Sequence, residues 1–292
     1  MNELFASEPA TCDSAFELKH LLEKFGPVTG RYLATYPAND WEARLQIHIE
    51  SWGDAERAKA KVVLRRAKES RALIRATNPY DERETWVQNI TRTQSSESRF
   101  DGVVVSRASA GTFPSVEELE LPPTAAEPVT AKKAEYVRVS RTLLAASPEI
   151  HFIDAYLDPC DRDRHVVLQE MLQIAGRGRC ECAYVWVSSN RLKDSFCEAI
   201  AALRRTAVAA GFVSPRRLRL RAFTDAGRDV KVHDRHLLSL YGAIRFEHGF
   251  QELTGKRTAK VSPEGPASHL LLLKTFYEGK HDLGVEEFLI DV

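Results

Sequence analysis

The stretch 230-VKVHDRHLLS-239 decides how the second half of this chain folds. It reads as a β-strand, and Tyr241-Gly242 followed by Ala243-Ile244-Arg245-Phe246 reads as the return strand of a hairpin. Side chains alternate along a strand, so His233 and Arg235 are expected on one face, with Val232, Asp234 and His236 on the other. A histidine beside a fixed guanidinium suits phosphate chemistry. The imidazole can attack phosphorus or donate a proton, and arginine pairs with phosphoryl oxygens in a bidentate fork. The same residues also suit a structural network in which Arg235 holds Asp234, Asp154 or a carbonyl.

Working back from this stretch, strands and helices alternate. The pattern predicts a helix over 132–146, a strand over 150–156 and a helix over 164–175 ended by Gly176 and Gly178. A strand over 183–187, a helix over 192–210 ended by Gly211, and a strand over 218–223 follow. This order predicts an α/β fold with a mixed, largely parallel sheet covered by helices on both faces. Ligands of open α/β sheets collect beyond the carboxyl ends of the strands. Asp154, at the end of the 150–156 strand, is therefore a candidate site residue. It serves equally well as a cap for the turn that carries Asp158-Pro159.

The first part of the chain is also mixed α and β. Phe16, Leu18, Leu21, Leu22 and Phe25 have helical spacing, closed by Gly26-Pro27, and 31–36 reads as a short strand. Asn39 or Asp40 can cap a helix that puts Trp41, Leu45, Ile49 and Trp52 on one stripe. A second long helix is expected from about 55 to 76, rich in Lys and Arg, and a solvated amphipathic face explains it better than a nucleic-acid surface. A short helical piece over 86–90 and a strand over 100–106 complete the region. Residues 108–130 hold four prolines and no sustained apolar period, which suggests a linker or surface excursion, though Leu119 and Leu121 are atypical of a free linker and suit a part ordered against the body. The expected organisation is an accessory α/β region over 1–107, this linker, and a second domain over 131–292.

Forty-one basic and 41 acidic residues cancel, so net charge names no polyanionic partner and local clustering must carry any such argument. Arg216, Arg217, Arg219 and Arg221 form one such cluster. No acidic residue lies between Ala199 and Thr224, and Arg217, Arg219 and Arg221 fall on one strand face. Three like charges cannot share a buried face, so that face is expected at a sheet edge, or bound to a phosphate backbone. Five cysteines give no disulfide framework and no C-x-x-C pair. They suggest reduced thiols rather than a metal centre of Cys160, Cys180, Cys182, Cys197 and His165, and no cofactor is implied. The apolar run 270–273 is expected to be one buried strand. The first nine residues lack secretory-signal character, which favours a cytoplasmic protein.

The stretch from 150 through Asp154, Tyr156 and Asp158-Pro159 to His233-Asp234-Arg235-His236-Leu237-Leu238 resembles the phospholipase D superfamily, above all its degenerate members with an H-D-R segment. Active relatives carry H-x-K, four residues, then Asp, with a Gly-Ser pair further on, and two such motifs often meet across a dimer. Here Arg235 stands where the lysine would be, Leu240 where the aspartate would be, and Gly249-Phe250 lies near the place of the Gly-Ser pair. The resemblance implies a non-catalytic, dimer-forming module that binds nucleic acid or a protein partner, possible within a prokaryotic anti-phage defence system. It also implies an alternative, a divergent metal-independent phosphodiesterase or nuclease with His233 as nucleophile or acid and Arg235 as phosphate clamp.

Overall fold

The computed structural model describes residues 3–27, 29–96, 99–121, 127–192, 196–224, 234–253, 257–281 and 283–292; of residues 127 and 162–164 only the backbone is described. The chain divides into two compact units, Asn2–Thr124 and Ala125–Val292.

The first unit is an open α/β layer. Its elements are β1 (Glu3–Ser7), α1 (Ala15–Leu22), β2 (Arg31–Thr35), α2 (Trp41–Glu50), α3 (Asp54–Glu69), β3 (Leu73–Arg75), α4 (Trp86–Gln94) and β4 (Gly102–Val104). Four parallel strands stand in the order β3-β2-β1-β4. Period-two alternation sorts the core. Phe5, Leu33 and Val104 face α1, α2 and α3, while Ala6, Ala34 and Val103 face Trp86 and Ile90 of α4. Val116 and Leu119 are buried in the first of these cores, so that part of the expected linker packs into the unit.

The long basic helix ends earlier than its composition suggests. α3 stops at Glu69, and 73–75, expected as helix, form the parallel strand β3. The stop is a Schellman motif. Arg71 takes φ 60°, Ala72 N donates to Ala67 O and Arg71 N to Lys68 O, and Ala67 and Ala72 are buried together. The basic face itself is solvated and largely paired. Arg57 meets Glu50 and Asp54, Lys59 meets Glu56, Arg65 meets Glu69, and Lys68 meets Glu42.

The second unit contains β5 (Glu127–Thr130), α5 (Lys133–Ala146), β6 (Glu149–Ile153), α6 (Arg162–Arg177), β7 (Cys182–Ser188), α7 (Ser189–Leu192) and α8 (Phe196–Ala210). It continues with β8 (Arg217–Thr224), β9 (Arg235–Ser239), β10 (Gly242–Phe246), β11 (Thr258–Pro263), α9 (Pro266–Leu272) and β12 (Gly284–Ile290). The eight-stranded sheet has the order β12-β8-β7-β6-β9-β10-β11-β5. Only β6, β7 and β8 run parallel, and every other neighbouring pair is antiparallel. The sheet is mixed, as expected, but antiparallel rather than parallel pairs predominate in it. Leu240 and Tyr241 alone join β9 to β10, and a connection that short permits only antiparallel pairing.

One sheet face packs Ile153, Trp186, Phe223 and Leu238 against Leu273 and Phe276, in the wider π-type turn that follows α9. On the other face Tyr136 of α5 meets Phe246, which joins Phe250 and Phe152. The apolar run 270–273 is helical rather than a buried strand. Leu270 and Leu271 are exposed, while Leu272, partly buried, and Leu273, buried, pack into the core, as one-sided burial at helical spacing requires. No described helix is long and apolar enough to cross a membrane.

Candidate functional site

The carboxyl ends of β6 and β7 and the start of β9 lie together, because β6 pairs parallel with β7 and antiparallel with β9, with Ile153 opposite both Trp186 and His236. Asp154 leaves β6 there, almost fully buried. Its Oδ1 accepts from Tyr156 N at 2.9 Å and its Oδ2 from Phe250 N at 3.4 Å. Arg235 Nε stands 3.8 Å from Asp154 Oδ1. The carboxylate thus ties three segments, the turn after β6, the start of β9 and the turn after β10. Gly249 is required in the last of these. It has φ 71°, and a Cβ there would collide with Asp154 Oδ2.

Arg235 is held on three sides. Besides Asp154, its Nη1 donates to Glu247 O at 2.8 Å, and its guanidinium lies 4.5 Å from the centre of the Tyr156 ring. Its side chain keeps 27% exposure. Arg191, in α7 directly after β7, also lies over the Tyr156 ring, at 5.5 Å, and is exposed. The opposite face of β9 carries a separate pair. Buried His236 Nε2 lies 3.0 Å from Glu264 Oε1, and Arg245 Nε is 3.8 Å from the same oxygen. The hydrogen bond with His236 holds the Glu264 carboxyl below the usual carboxylate range.

Of the residues singled out in the sequence, Asp154 and Arg235 come together, and His233 lies outside the described residues. The arginines of β8 do not join them. Arg217 pairs in register with Cys182, and Cys182 with Glu149, so Arg216 and Arg217 belong to the amino end of the parallel strands. Nor is β8 a sheet edge as expected, since β12 covers it. Arg219 and Arg221 share a face without prohibitive cost because both are paired with Glu287 of β12. Burial works to raise the Glu287 carboxyl, but hydrogen bonds from Arg221 and Arg219 outweigh it and hold the group below its usual range. Arg221 also lies 4.1 Å from the Tyr184 ring centre and 4.8 Å from that of Trp186.

Cys180 and Cys182 are buried, and burial pushes the Cys180 thiol up to about 12. Cys160 and Cys197 are exposed, and no His, Cys, Asp or Glu group that could hold a metal occurs among the described residues. Three features were missed in the sequence. Tyr156 is a platform for two guanidinium groups, Arg191 is one of its partners, and His151 is a buried hub. His151 stacks on Tyr184 and Tyr277, both at 4.6 Å, while Nδ1 accepts from Trp186 Nε1 at 3.0 Å and Nε2 lies 2.9 Å from Glu149 Oε1. The aromatic content of β7, Tyr184 and Trp186 at alternate positions, was the available signal for that hub.

No protein-family profile matches this sequence, and no curated protein is similar to it. Among solved structures, one similar in part is TrmBL2, an archaeal chromatin protein described as showing a novel mode of DNA binding. The identity is 13% and the TM-score 0.30, over 85% of this chain and 70% of that one. Similarity at that level does not establish a common fold.

Proposed function

We propose that the second unit is a degenerate phospholipase D-like module that binds nucleic acid without cleaving it. The observation that carries this reading is the internal commitment of Arg235. A phosphate clamp must present its fork to substrate, whereas here one Nη donates to Glu247 O, Nε faces Asp154, and the guanidinium plane rests on Tyr156. Leu240 supports it. At the position where the active pattern needs an aspartate to orient histidine, Leu240 packs against the apolar cluster of Trp186, Leu238 and Phe276. A nucleic-acid ligand is favoured over a protein partner by the distribution of charge. The second unit has 25 basic and 22 acidic residues, and the first, with 16 basic and 19 acidic, carries the opposite excess.

The test is direct. Wild type and His233→Ala are incubated with labelled single- and double-stranded DNA and RNA, with and without chelator. The expected result is no cleavage by either protein and complexes that weaken steeply with salt. Chelator-resistant cleavage that the substitution abolishes would replace this reading with the phosphodiesterase one.

A further inference from the structure

We infer that Arg191, held over the ring of Tyr156, forms the seat for a backbone phosphate of a nucleic-acid strand. This inference rests on the nucleic-acid reading and adds to it a location and a set of residues. Three elements converge on the site. Tyr156 lies in the turn after β6, Arg191 in α7 after β7, and Arg235 at the first position of β9. The two guanidinium groups lie within 5.5 Å of one ring centre, which fixes both charges at the carboxyl ends of the parallel strands. Crevices outside those ends are where open α/β sheets place their ligands.

The two arginines have different roles. Arg235 is anchored by Glu247 O and Asp154, so its position is set before any ligand arrives. Asp154 also offsets part of its charge. Arg191 is exposed and, among the described residues, has neither a carboxylate nor a carbonyl partner. An exposed planar cation held over an aromatic ring is suited to bidentate phosphate recognition, and the ring edge offers a surface for an adjacent base. The other basic cluster lacks this combination. Arg219 and Arg221 share the carboxylate of Glu287, and Arg216 and Arg217 lie toward the amino end of the sheet.

Fluorescence anisotropy of the full chain with labelled single-stranded DNA and RNA of about 20 nucleotides tests the site. Arg191→Ala is expected to weaken binding about tenfold at low salt and to reduce the slope of log affinity against log salt by about 0.7. Arg191→Lys should recover the slope but only part of the affinity, because it restores charge without the fork. Arg217→Ala should leave both unchanged. Arg191 is exposed, so circular dichroism should report an unaltered fold in each variant. Equal affinity and slope for wild type and Arg191→Ala would overturn this site while leaving nucleic-acid binding by the module in place. Absence of binding by the wild type to either strand would overturn both.

Discussion

Gly249 and Asp154 show how closely the turn after β10 is fitted to the end of β6. The glycine has φ 71°, and the space a Cβ would need is taken by the Asp154 carboxylate. Gly249→Ala is therefore expected to destabilise the second unit by about 2 kcal/mol, from backbone strain and displacement of the carboxylate together. Thermal unfolding followed by near-UV circular dichroism should show this as a fall of about 5 °C. The sequence offered Gly249-Phe250 only as a comparison with a Gly-Ser pair; that the glycine accommodates Asp154 depends on a contact between residues 95 positions apart, which no local pattern encodes. His151 gives a second prediction at this scale. Burial lowers its pKa from the ordinary 6.5, so the unfolded chain binds a proton that the folded chain resists. Stability is then full above 6.5 and is lost as pH falls below it. His165, lowered by burial as well, adds to the loss in the same window. Urea unfolding between about pH 8 and pH 5 should show this decline, and His151→Gln should be less stable throughout but flatter with pH.

At the scale of elements, glycine was an uneven guide to helix ends: α6, expected to stop at 175 before Gly176, runs through that glycine to Arg177. The helix α8 was expected to end at Gly211, and it does, with Phe212 N donating to Ala207 O across a left-handed Gly211. The same motif closes α3 with Arg71 in the left-handed position, so the sequence reads on as helix through β3. Arg71→Gly should then stabilise the first unit by about 0.5–1 kcal/mol, measured as a raised urea midpoint with an unchanged slope. An unchanged or lowered midpoint would mean that the Arg71 side chain contributes more than its backbone costs. Strand identity was more legible than strand neighbours. The segments of β6, β7, β8 and β10 were readable from composition, yet β12 was not anticipated, and its Glu287 bridges Arg219 and Arg221 and offsets one of their two charges. Without that partner in view, the arginine face appeared to need either a sheet edge or an external anion. Glu287→Gln, which keeps the shape but removes the charge, should cost about 1 kcal/mol of stability, since the group is only partly buried.

At the scale of the whole molecule, the two units differ in construction and in charge. The first has an all-parallel four-stranded sheet with its own two apolar layers, and the second a mixed eight-stranded sheet with separate ones. Each core is contained in its own unit, so each has what independent folding requires. The sequence placed a linker at 108–130, whereas Val116 and Leu119 are buried with the first unit and Glu127–Thr130 forms strand β5 of the second sheet. Apolar residues spaced among prolines and acids carry no period from which burial could be read. A fragment cut at 124/125 should therefore leave two soluble, cooperatively unfolding pieces, whereas a cut at 130/131 should destabilise the second by removing β5 from the edge it forms beside β11. The same division locates binding. If nucleic acid is held through Arg191, the fragment 125–292 should retain the affinity and salt slope of the full chain, and the fragment 2–124 should bind weakly, its Lys and Arg residues on α3 being largely paired. Binding that follows the first fragment instead would transfer the interface to α3, where Lys61 and Arg66 take part in no ion pair among the described residues.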